Sequence, residues 1–391
     1  MDQIYVKHQP AGAVREPPKL PGQVVLVFQG GGALGAYQGG VYQALHEAGI
    51  EPDWVVGTSI GAINGAIIAG NDVSARLDRL REFWERIERK PLWGDTPWSQ
   101  MAGNAAAYLT TIFGGVPGYF MPNSAVAWGL NALVGVEQAA FYTIDDLRKT
   151  VSDVVDFERI KTKHPRLTVG AVNVRTGKMN YFDSREVSVT LDHVLASGAV
   201  PPGFPAVRID GDAYWDGGLY SNTPIEVVFD DNPRRDSVVF SVQIFPIAGP
   251  EPESVWQVLS RQKDIQFASR ADSHIPRQEH IHQLRHMVRE LVRLMPESLR
   301  ETPKVKEMAG YGCGTLMHIV RINATPSDHE DYLRDLDFSR SGIQRRWQSG
   351  YADTKRTLER RPWETTIDPM VGVAVHDSDA PDSPSSLEKA R

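Results

Sequence analysis

The chain has 391 residues, 41% of them hydrophobic and 23% charged, with a formal net charge of -7 and one cysteine. The length allows one large domain with an extension, or two domains, and the acidic balance argues against a nucleic-acid partner, whose phosphates need clustered Lys and Arg. The lone Cys313 excludes an internal disulfide and fits a reducing, cytoplasmic setting, and no apolar run approaches the ~18 residues of a membrane span.

Residues 1–22 mix Pro, Lys, Arg and Glu without an apolar core and read as a flexible leader. Val24 to Phe28 is a short β-branched run of the kind found in buried parallel strands, and it leads into Gly30-Gly31-Gly32-Ala33-Leu34-Gly35. Helical spacing then carries Tyr37, Val41 and Leu45. A second strand, Asp53 to Val56, ends in Gly57-Thr58-Ser59-Ile60-Gly61, and small apolar residues from Ala62 to Ala69 predict a tightly packed helix. Strand, sharp turn and helix are the setting in which G-x-S-x-G acts as a nucleophile elbow. The same serine also fits an ordinary helix N-cap, so both readings stand at this point. Leu77, Leu80, Phe83, Trp84 and Ile87 share one face of the next helix. Strands alternating with helices predict a parallel α/β sheet covered on both faces.

Between Asp95 and Glu137 no residue is charged, and Gly, Pro and Asn interrupt the run. It reads either as a loop-rich insertion in the core or as a flap over an apolar substrate site, with Phe113 and Phe120 as candidates for an acyl pocket. A peripheral contact with a membrane or lipid surface is the third reading. Further strands are expected over 167–174, 237–245 and 315–322. His280 to Met295 predicts an amphipathic helix with Arg285, Arg289 and Arg293 on one face, either packed on its own domain or laid on an anionic membrane. His282 and His286 are four apart, but no Glu completes an H-E-x-x-H pattern, and no metal is expected there. Ser, Pro, Asp and Ala dominate 367–391, which reads as a disordered tail.

Acyl-transfer chemistry needs a nucleophile, a base and donors for a developing oxyanion. Ser59 offers the first, and the glycine turn can present bare backbone N–H groups. Gly30, Gly32 and Gly35 also satisfy G-x-G-x-x-G, yet the acidic residue that would hold a ribose after the second strand is missing. No Gly-Lys-Ser/Thr follows, so the phosphate-loop reading fails. His193 sits in a helical run with no catalytic setting. Asp216, followed by Gly217 and Gly218, is the better base, although Asp-Gly-Gly alone also describes a surface turn.

Taken in order, the glycine turn 30–35, the elbow 57–61, the segment Ala196-Ser197-Gly198-Ala199-Val200-Pro201-Pro202-Gly203-Phe204-Pro205 and Asp216-Gly217-Gly218 resemble the patatin-like phospholipases. The stretch beyond about 250 resembles a C-terminal extension found in a bacterial subgroup. Leu34 departs from the family's frequent Arg or Lys, so a head-group role for that basic residue has no counterpart here. The resemblance implies a three-layer α/β/α fold with a mainly parallel sheet and a mixed, largely helical C-terminal extension. It implies domains at 23–248 (catalytic) and 249–366 (extension packed on the core). It also implies a Ser59–Asp216 dyad, an oxyanion hole from the Gly30, Gly31 and Gly32 amides, support from Gly57, Gly61, Gly217 and Gly218, and no cofactor. The substrate class implied is a lipid ester. A short-chain or polyester esterase with the same dyad, and a non-catalytic nucleotide- or lipid-binding module, are the alternatives; oligomeric state is open.

Overall fold

The computed structural model describes residues 18–89, 111–324 and 333–377. Most of the expected leader and the start of the uncharged segment, through residue 110, lie outside them. β1 (Gln23–Phe28) and β2 (Trp54–Gly57) are buried along their length apart from Gln23, as parallel strands covered on both faces must be. β3 (Arg166–Asn173), β4 (Met179–Asp183), β5 (Val207–Ile209), β6 (Asp212–Asp216), β7 (Ser237–Gln243), β8 (Met317–Asn323) and β9 (Val373–Asp377) complete one sheet. It runs β9-β8-β7-β1-β2-β3 with parallel neighbours throughout, then continues into the antiparallel β6 and β5, while β4 also pairs with β3.

Alternate side chains of β1 enter two separate cores, as the two-residue period of a strand requires. Leu26 and Phe28 pack with α1 (Ala36–Glu47), α2 (Ile60–Ala69) and α3 (Val73–Arg86). Val25 and Val27 face the other way, toward Val228, Phe229 and Ile275. Two cores on one sheet make three layers, α/β/α. Ile275 belongs to a 40-residue helix (Val255–Leu294) that absorbs the expected amphipathic stretch 280–295. No helix among the described residues is long and apolar enough to cross a membrane.

The segment read as an extension supplies β8, β9 and a closing helix, Arg340–Arg360, that lies on α1. The two helices touch through backbone. A Cβ added to Gly40 would sit 1.9 Å from the Trp347 carbonyl oxygen, and one at Gly350 would sit 2.1 Å from that of Tyr37. Trp347 Nε1 donates to Gln43 Oε1 at 2.7 Å and Tyr37 OH to Asp353 Oδ2 at 2.7 Å, so the buried polar atoms of this contact are paired. One boundary needs correction. The disordered tail was expected from 367, yet Val373–Asp377 pairs with β8 in register from Met317 to Arg321. Its Val-Ala-Val core is a strand too short to stand out from an Asp- and Pro-rich background.

The closeness of the two helices is testable. Gly350→Ala forces backbone apart and should cost about 1–3 kcal/mol in urea unfolding, whereas Gly114→Ala, with open space around it, should cost far less. Equal midpoints for the two variants would mean that the helices do not meet as described.

Candidate active site

Strand register brings the site together. On one edge of β3, β2 pairs as far as Gly57 opposite Val169, and β6 takes over with Asp216 opposite Ala171. The opposite edge is held by β4. Asp216 therefore stands just beyond the carboxyl end of β2, where the chain turns into Ser59. Phe28, the last residue of β1, pairs with Gly57, so the glycine turn leaves the sheet at the same end. Ligands of parallel sheets bind at this end.

Ser59 adopts φ 57° and ψ −126°, a conformation that L-residues rarely hold. The glycines around it permit that turn. A Cβ at Gly57 would lie 2.4 Å from the Gly61 carbonyl, and one at Gly61 would lie 2.4 Å from the Phe28 carbonyl oxygen. The Ser59 N–H is held from below by Ser197, through its carbonyl oxygen at 3.1 Å and its Oγ at 3.0 Å. Although Ser59 occupies the N-cap of α2, its hydroxyl makes no capping bond. The hydroxyl instead lies close enough to the Asp216 carboxylate to draw that group's pKa down. The N-cap alternative is thereby set aside.

Asp216 is 4% exposed. Burial pushes its pKa up from the carboxylate range to about 7, while the nearby Ser59 hydroxyl and the Gly218 N–H, which donates to it at 2.7 Å, pull it down by less. Its own N–H donates to the Ala199 carbonyl at 3.0 Å. The segment 196–205 thus anchors both the serine, through Ser197, and the aspartate, through Ala199. Tyr119, also buried, lies close enough that the Asp216 charge helps keep its phenol protonated.

Asn222 stands six residues beyond Asp216 on the same loop. It clasps the glycine turn to the Asp216 loop: Gly30 N–H donates to its carbonyl oxygen at 3.1 Å, and its Nδ2 donates to Gly30 O at 3.1 Å. This corrects the expected donor set, because the Gly30 amide is already spent. Gly31 and Gly32 are partly exposed and their amides have no protein acceptor among the described residues. Gly217 fits where a Cβ would meet the Gly170 carbonyl oxygen at 2.4 Å. His193 lies apart, its Nδ1 engaged by the Thr190 N–H at 3.0 Å. Among the described residues no histidine is bonded to Ser59 or Asp216.

Of the two aromatic residues expected in an acyl pocket, Phe120 is buried in a cluster with Tyr119, Tyr142, Phe204 and Phe338. Phe113 is 76% exposed and stands outside that buried cluster. Next to the cluster, a groove is lined by Val126, Leu130, Val134, Phe141 and Pro202.

A three-layer α/β/α fold carrying a strained serine elbow against a buried carboxylate defines the class. Residues 26–229, just over half the chain, match the family model described as patatin-like phospholipase, and residues 265–370 match one described as patatin phospholipase. The chain belongs to the patatin-like phospholipase family, a family of lipid ester hydrolases. It is 51% identical over 65 residues to lysophospholipase nte1 of Aspergillus terreus, a match covering 16% of this chain and 4% of that protein. It is 41% identical over 63 residues to human patatin-like phospholipase domain-containing protein 6, covering 16% of this chain and 5% of that protein. The matches thus span about one twentieth of those curated relatives. Among solved structures, VipD of Legionella pneumophila aligns over 88% of this chain and 67% of its own at 16% identity, with a TM-score of 0.36.

The raised pKa of Asp216 has a thermodynamic consequence. The unfolded carboxylate releases its proton near ~3.9, whereas the folded one holds it until about pH 7. Within that window the native state binds more protons, so stability falls as pH rises and the full deficit, on the order of 4 kcal/mol, applies above pH 7. Asp216→Asn should therefore raise the melting temperature relative to wild type more at pH 8 than at pH 5. A difference independent of pH would mean that the carboxyl titrates normally.

Proposed function

We propose that the chain is a serine acyl hydrolase that cleaves carboxylic ester bonds of lipids through a Ser59–Asp216 dyad. The observation that carries this reading is the uncapped Ser59 hydroxyl, held in a strained turn beside a buried carboxylate. Asp216 takes the proton of Ser59 as its Oγ attacks the ester carbonyl. The carbonyl oxygen becomes an oxyanion, for which the Gly31 and Gly32 amides are the available donors, and each such donor is worth about 2.7–4 kcal/mol. The positive end of α2 points the same way. Asp216 then protonates the departing alcohol, leaving an acyl-Ser59. In the second half a water gives its proton to Asp216 as it attacks the acyl carbon, and Asp216 passes that proton to Ser59 Oγ as the acid departs, restoring both groups.

A carboxylate with an ordinary pKa is a poor base for a hydroxyl; one raised to about 7 is better matched to neutral pH. The family supports lipid esters as substrate, and the similarity to lysophospholipases supports a single-chain lipid among them. The apolar groove beside Pro202 and the exposed Trp128, Leu130 and Leu133 support acyl-chain or lipid-surface contact on the same side of the 196–205 segment.

Hydrolysis of p-nitrophenyl esters from two to sixteen carbons, together with lysophosphatidylcholine, tests the reading. Ser59→Ala and Asp216→Asn should each lower kcat/KM by about a thousandfold or more while remaining folded, and the wild-type optimum should lie at long chains. Activity surviving in Ser59→Ala would overturn the mechanism. An optimum at two to four carbons would keep the dyad and replace the lipid substrate with a short-chain ester.

A further inference from the structure

The long helix Val255–Leu294 carries His282 and His286 one turn apart. Both are buried, at 0% and 3% exposure, and beneath them lies the buried Cys313. One ring nitrogen of each histidine and the thiol sulfur fall within 4.8 Å of one another. No local pattern joins Cys313 to the pair, because it lies 27 positions beyond His286. We infer that His282, His286 and Cys313 form a structural binding site for a borderline-soft divalent cation, Zn2+, that fastens this helix to the β8–β9 edge of the sheet.

The arrangement of lone pairs carries the argument. His286 Nδ1–H donates to the Pro369 carbonyl at 2.6 Å, which leaves Nε2 of that ring as a bare acceptor. That atom stands 3.2 Å from His282 Nε2 and 3.0 Å from the Thr315 carbonyl oxygen, and His282 Nε2 is 2.9 Å from the same oxygen. Without a cation, one N–H of His282 faces two acceptors in a buried space. Two nitrogens on a tetrahedral zinc, with bonds of about 2.0–2.1 Å, stand roughly 3.3 Å apart, so the two rings already have the required spacing. A metal-bound histidine usually donates its far nitrogen to a carbonyl, as His286 does. His282 Nδ1 has no partner, so that ring can carry its proton there and offer Nε2, exchanging its bond to the Thr315 carbonyl oxygen for the metal.

Gly372 leaves the room. A Cβ there would lie 2.4 Å from His286 Nε2 and 2.9 Å from His282 Cδ2. The Cys313 sulfur, now 3.0 Å from Thr315 Oγ1, supplies the third ligand by losing its thiol proton to solvent as it binds. The Thr315 carbonyl oxygen or a water takes the fourth position. Two imidazoles with one thiolate select zinc over the hard cations that prefer oxygen. The site ties together the helix, the entry to β8 and the turn before β9, and it is independent of the Ser59 chemistry.

Tag-free protein grown with added Zn2+ and desalted should carry about one zinc per chain by plasma mass spectrometry. Chelator-treated protein should take up Co2+ with a thiolate-to-cobalt charge-transfer band that Cys313→Ser lacks. Zn2+ should raise the wild-type melting temperature and leave that of His286→Gln unmoved, with ester hydrolysis retained in Cys313→Ser. A wild-type chain that neither carries Zn2+ nor binds it when added overturns the site without recourse to any variant. Co2+ bound without the charge-transfer band, or zinc uptake unchanged in Cys313→Ser and His286→Gln, overturns it as well.

Discussion

The pairing along one edge of β3 is the constraint on which the site depends. Val169 ends the contact with β2 and Ala171 begins the contact with β6, and that interval sets Ser59 against Asp216. Sheet pairing fixes side-chain direction with a period of two. A slip of one residue in β6 would turn the carboxylate to the other face. Around the serine, Ser197 holds the elbow, Ala199 holds the aspartate, and Asn222 ties the glycine turn to the loop after the aspartate.

The same arrangement explains why a carboxylate can stand alone as the proposed base. In water it would be too acidic to accept a proton from a serine. Sealed at 4% exposure, beside one hydroxyl and accepting one amide N–H, it is held well above its ordinary pKa. The strain of Ser59 and the buried charge both weigh against folding. They are offset by the cores on both faces of the sheet and by the closing helix Arg340–Arg360, whose Trp347 fills the space above Gly39 and Gly40. The C-terminal segment is thus woven into the layers that carry the site, through two strands of the sheet and the tightest helix contact.

Much of this was legible in the sequence where the signal is local. The elbow, the first strand and the helix after it follow from a handful of adjacent residues, and the family likeness linked them to Asp216. Signals that depend on distant contacts were not legible. The Gly30 amide is occupied by a residue 192 positions away, so no local pattern could remove it from the donor set. Phe113 and Phe120 look equivalent in the sequence, yet one is buried and the other exposed because only Phe120 meets Phe204 and Phe338. β9 is visible only once β8 is there to pair with it. Cys313 joins the two histidines through the turn of a helix against a strand entry, a relation with no trace in spacing.

The most direct measurement is the rate at which a fluorophosphonate labels the protein as pH is varied, with the adduct located by mass spectrometry. The account predicts one adduct, on Ser59, forming faster as pH rises through about 7 with the ionisation of Asp216, and forming slowly at every pH in Asp216→Asn. An adduct elsewhere, or an Asp216→Asn variant labelled as fast as wild type, would contradict it.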